Sequence, residues 1–164
     1  MNIKLVFTIA IILFAPYAFC QDSSGDHDPQ LMQIYFKFGL NELDTFHNTY
    51  QKDLVSAGTV KTGMWFTTRE QEIILTQLNR IIFFNLPDTI HAQPNVVISP
   101  SHGPQTLRVK YKGMDKTVVW YYPLPEDVVN NFDYRLESTR DLLWDIIESK
   151  PEYKALPPVK GGYQ

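Results

Sequence analysis

Three carboxylates and one charged pair are the first candidates for chemistry: Asp44, Asp53 and Asp88, with Lys52 beside Asp53. Acid–base catalysis and glycoside cleavage both work through paired carboxylates. Lys52 and Asp53 fall in a stretch with strand character, so their side chains point to opposite faces and act as a pair only with distant partners. Asp44 or Asp88 would have to supply them. The plainer expectation is surface ion pairing or turn capping, and Asp88 after Pro87 suits a turn-backbone hydrogen bond. No residue is assigned a catalytic role. The four histidines, His27, His47, His91 and His102, are scattered and none has the i, i+4 spacing of a helical zinc site. Ser101-His102-Gly103 lacks a nucleophile-elbow pattern, and adjacency in sequence does not make a triad. No glycine-rich phosphate loop is present, since Gly161-Gly162 lies at a terminus with no helix after it. No cofactor and no metal is expected.

Aromatic residues are the other candidates, at 13% of the chain, and enough to line a surface. Trp65, Tyr111, Trp120 and Tyr122 are the predicted binding residues, with Tyr35 and Tyr121 beside them. Tyr and Trp bring large contact area with a polar tip, which suits a peptide, a glycan or a partner protein. The competing expectation is that these rings fill the space between sheet and helices.

The elements that would carry these residues can be read from periodicity. Met32 to Phe38 alternates, with Met32, Ile34, Phe36 and Phe38 on one side, as in a half-buried strand. Gly39 to Glu42 reads as a break, Asp44 to Val55 as a second strand, and Thr59 to Phe66 as a third. Thr67 and Glu70 have capping-box spacing. Ile74, Leu78, Ile81 and Ile82 then share a helical face, and Pro87 is the expected stop. Asp88 to Pro104 reads as a loop holding a short apolar run, Val96-Val97-Ile98. Leu107 to Tyr122 reads as a hairpin turning over Lys112 to Asp115. Pro123 to Asn131 is a connector. A second helix spans Phe132 to Ser149 and stops at Pro151. An extended tail follows, pinned by Tyr153 and Leu156. The expected fold is α+β: an antiparallel sheet of about five strands with two helices on one face, in the order β-β-β-α-β-β-α.

Met1 to Cys20 has a basic start, an apolar run and a small-residue site, the pattern of a secretory signal peptide. Cys20, the only cysteine, is removed if cleavage follows it and lipidated if it becomes the N-terminus. Phe19 stands where lipidation wants a small residue, which favours cleavage. Residues 21–30 read as a disordered linker, 31–156 as one domain and 157–164 as a C-terminal tail. After cleavage no transmembrane segment is expected. Removing Lys4 leaves 14 Lys and Arg against 18 Asp and Glu, a net charge of −4, and no basic stripe is visible. Nucleic acid is therefore a poor partner. An exported chain without disulfides must be held by its core.

Three segments are then familiar together: NELDTFHNTYQKDLV at 41–55, FFNLPD at 83–88, and YKALP at 153–157 with Gly162-Tyr163 at the close. They resemble a family of small exported bacterial proteins and lipoproteins of uncharacterised function. The Cys-Gln junction is similar to those of Bacteroidetes-type signal peptides. The resemblance implies export, periplasmic or secreted, and a single domain, with no catalytic residue to carry over. Taken together, the expected function is a non-catalytic binding or accessory domain of the cell envelope. Its partner would be an envelope or extracellular protein or glycan. The alternative is a carboxylate-dependent hydrolase.

Overall fold

The computed structural model describes residues 32–91, 103–121 and 134–162. The expected signal peptide with Cys20, the expected linker, Val96 to Ile98, the expected connector from Pro123, and the sites His27, Ser101, His102 and Tyr122 lie outside the described residues.

Alternation builds β1 (Gln33–Phe38), which sends Ile34 and Phe36 into the core. A tight turn through Gly39, at φ +61°, leads to β2 (Asn41–Asp44). The expected break at Asn41 and Glu42 is therefore strand, paired with Phe38 and Lys37. A second turn separates β2 from β3 (Thr49–Asp53), so the single strand expected over Asp44 to Val55 is two strand segments and a turn. Asn48 closes that turn at φ 55°, a conformation Asn tolerates better than most residues. β4 (Thr59–Gly63) forms one edge of the sheet.

Helix α1 (Thr68–Arg80) begins at the expected capping box: Glu70 N donates to Thr67 Oγ1 at 3.3 Å, and Thr67 N donates to Glu70 Oε2 at 2.7 Å. Its end is not at Pro87. Ile82 takes a left-handed conformation, φ 54° and ψ 44°, and a 3-10 turn over Phe83–Asn85 follows. β5 (Thr89–Ile90), β6 (Gln105–Tyr111) and β7 (Met114–Trp120) complete the strands. The β6–β7 hairpin turns on two residues, Lys112 and Gly113, both at positive φ, which fits the primed turns that match strand twist. Helix α2 (Tyr134–Ser149) stops short of Pro151, and Pro151 then opens a single-turn helix α3 (Pro151–Lys154).

Among the described residues the seven strands form one mixed sheet in the order β4-β3-β2-β1-β6-β7-β5. All pairings are antiparallel except β5 with β7. The α+β class is as expected; the sheet has two more strands and one parallel edge. Ile74, Leu78 and Ile81 of α1 and its exit, with Leu136, Leu143 and Ile147 of α2, close the core over one sheet face. Lys150 Nζ donates to Glu70 Oε2 at 2.5 Å and ties the α2–α3 corner to the start of α1. Tyr153 and Leu156 pack against the core as expected, and Lys160 bridges to Val55. The start of the tail, expected to be extended, is instead the helical turn α3, which Pro151 opens at its first position.

Candidate functional site

Registry decides which side chains face away from the helices. Ile34, Phe36, Leu43, Tyr50, Leu107, Val109 and Val118 point into the core, so their neighbours form the other face. Across the strands one row reads Gly63, Thr49, Asp44, Tyr35, Arg108, Thr117. The β2–β3 turn adds Phe46 and His47 beside it. A groove of about 570 Å³ runs over this row, lined by Tyr35, Asp44, Phe46, His47, Arg108 and Thr117 with Gln33 and Thr106.

Each charge in the groove already has a partner. Asp44 Oδ1 accepts from Phe46 N at 2.9 Å and His47 N at 3.3 Å, and its Oδ2 lies 2.7 Å from His47 Nδ1. Arg108 donates from Nε and one terminal nitrogen to the two oxygens of Asp115, at 2.9 and 2.7 Å. That bidentate bond holds the Asp115 carboxyl below its usual range and raises the guanidinium further. The guanidinium also lies over the Phe46 ring, 4.9 Å from its centroid. Tyr35 Oη donates to Glu42 Oε2 at 2.9 Å. Burial first, then that bond and the nearby carboxylates, push the Tyr35 hydroxyl up to about 12.

The predicted binding aromatics separate. Trp65 is half-buried, and its ring lies 3.6 Å from where a side chain on Gly63 would start, at the β4 end of the open row. Tyr111 falls on the helix side of β6 and packs against the core. Trp120 is 1% exposed and is core; its register opposite Gln105 puts it on the same side as Val118, so it cannot line an exposed face. Tyr35 belongs to the groove. Phe46 and Arg108 line the groove and are not among the residues expected from sequence. Their only signal was the Asp-Thr-Phe-His-Asn turn composition and the polar positions of β6.

The three candidate carboxylates do not converge. Asp53 is 7% exposed and accepts from Val55 N at 2.8 Å, the turn-capping role. It lies four residues along β3 from the partner of Asp44, about 13 Å of strand. Asp88 precedes β5 at the opposite edge and pairs with Lys116. Five strand spacings separate β3 from β5, roughly 24 Å. His47 is highly exposed, and its Nε2 reaches no nucleophile among the described residues. His91 is exposed beyond β5. Among the described residues no group of three or more His, Cys, Asp or Glu is placed to hold a metal, and no helix is long and apolar enough to cross a membrane.

No protein-family model matches the chain, and no curated protein matches it.

Proposed function

We propose that this protein is an exported, non-catalytic binding domain that takes its partner on the sheet face opposite the helices. The observation that carries this reading is the groove over Tyr35, Phe46 and Arg108, on the face that α1 and α2 leave open. A one-sided antiparallel sheet leaves its second face to water or to a partner. Two aromatic rings and a stacked arginine are residue types favoured in recognition surfaces. The hydrolase alternative has less to stand on, because Asp44, Asp53 and Asp88 occupy separate turns and edges. Export and the family resemblance rest on the N-terminal pattern and the three quoted segments. On that reading the partner belongs to the cell envelope or the outside of the cell.

Capture from solubilised envelope and culture medium tests this reading. The wild-type protein should retain a dominant component that Phe46→Ala loses while remaining folded. Equal capture by both proteins would contradict it.

A further inference from the structure

The groove has a chemical character that narrows its ligand. Its ionic groups are hydrogen-bonded in place: Arg108 to Asp115, and Asp44 to two backbone amides and His47. An anionic ligand would compete with Asp115 for Arg108, and a cationic one with His47 and the turn amides for Asp44. The groups left over are uncharged. Gln33, Thr106 and Thr117 line the same groove and make no side-chain hydrogen bond to another described residue. Apolar surface comes from the rings of Phe46 and Tyr35, supplied by a turn and a central strand.

A protein interface would use the same rings and arginine but needs a wider apolar centre around them. Its buried centre is apolar and depleted of charge. The exposed large apolar residues, Leu40, Ile73, Ile82, Met114 and Val159, all lie outside this groove. The groove volume, about 570 Å³, falls in the range of small-ligand sites, roughly 300–1,000 Å³.

From these features we infer that the groove binds a neutral carbohydrate, a short run of uncharged sugar rings. This rests on the open sheet face being the binding face. Sugar rings present an apolar C–H face and a hydroxylated edge. Phe46 and Tyr35 meet the first; Gln33, Thr106 and Thr117 meet the second. Arg108 and Asp44 serve as rigid hydrogen-bonding planes, because Asp115, Phe46 and the turn amides already hold them in place. The ordering cost of these two long or mobile groups is met in folding and not in binding.

The test titrates the purified protein with neutral hexose and N-acetylhexosamine oligosaccharides, and with uronic-acid and sulfated oligosaccharides as charged controls. Calorimetry reads affinity, and circular dichroism confirms folding of every variant. Phe46 is outside the buried core cluster, so Phe46→Ala should fold. Thr117→Val is a second variant that keeps the strand-favouring shape and deletes one hydroxyl. The expected result is binding of at least one neutral oligosaccharide, at least tenfold weaker in Phe46→Ala and several-fold weaker in Thr117→Val. Ile73→Ser, in the separate groove between α1 and α2, should bind as wild type. Tighter binding of the charged controls, or no binding of any neutral sugar, overturns the carbohydrate assignment. In that event, envelope capture that Phe46→Ala abolishes leaves the sheet-face reading standing with a protein partner. Capture indifferent to Phe46→Ala removes both.

Discussion

Asp44 is expected to hold the β2–β3 turn, and through it the position of Phe46, without taking part in chemistry. The perturbation is Asp44→Ala, with Asp44→Asn as the conservative control. In the wild type the carboxylate is 17% exposed, accepts two backbone N–H groups and touches His47. The 2.9 Å bond from Phe46 N is well formed and the 3.3 Å bond from His47 N is weak. A hydrogen bond to a charged acceptor contributes about 1.5–3 kcal/mol. The exposed His47 contact adds little, as surface pairs do. Asp44→Ala should therefore cost about 2 kcal/mol. Asn keeps an acceptor at the same place and should cost less than about 1 kcal/mol. Urea unfolding of the three proteins, compared through midpoints at constant slope, measures both values. Ligand affinity should fall with Asp44→Ala even under conditions where the protein is fully folded, because Phe46 loses its seat. A cost for Asp44→Ala below about 0.5 kcal/mol, the range of unremarkable surface changes, would refute the reasoning. So would equal costs for Ala and Asn.

Other outcomes follow from single features. Thr67→Ala removes one half of the capping box and should cost about 1 kcal/mol in urea unfolding. In a double-mutant cycle, Glu70→Gln and Lys150→Met should couple by about 1–2 kcal/mol, more than an exposed pair, because their side chains are only 21% and 10% exposed. Trp120→Ala should cost about 3–5 kcal/mol and report on the core alone, so loss of binding in that variant would reflect unfolding. Ile82→Gly should raise the melting temperature, since a β-branched residue at φ 54°, 56% exposed, carries backbone strain that glycine avoids. The Tyr35 hydroxyl, raised to about 12 in the fold, stays protonated longer in the native state than in the unfolded chain. Its contribution to stability is therefore complete below about pH 10 and is lost as pH rises towards 12. Tyr50, raised chiefly by burial, acts in the same direction. Tyr35→Phe should reduce the alkaline loss of stability, read by unfolding at pH 9 and pH 11.

The sequence is most legible where one physical signal decides the outcome. Strict alternation in Gln33–Phe38 and the Thr67–Glu70 box each predict a feature that the structure contains. Elsewhere two signals compete. Asp44 to Val55 has continuous strand propensity, but Asp44 and a left-handed Asn48 turn the chain in its midst. Pro87 is the obvious stop for α1, yet the chain leaves the helix earlier at Ile82, and no residue type there announces a left-handed conformation. β5 is two residues long and parallel to β7, too short for any periodicity to show. For the site, the error lies in register. A turn spread over Lys112 to Asp115 leaves open which face Trp120 occupies. The two-residue turn at Lys112-Gly113 fixes it inward with Val118, opposite Gln105. Tyr111 is turned to the helix side by the same register. Phe46 and Arg108 meet only because the β2–β3 turn folds over β6 across β1, a contact spanning more than sixty residues of chain that no local pattern encodes.

The sheet face opposite the helices is proposed as the binding face. The most direct measurement is amide NMR mapping of the isotopically labelled protein during titration with a neutral oligosaccharide or with the captured envelope component. Saturable shifts are expected at Tyr35, Phe46, Thr106, Arg108 and Thr117, with α1 and α2 unmoved. Saturable shifts confined to the helices, with those five amides unchanged, would contradict it.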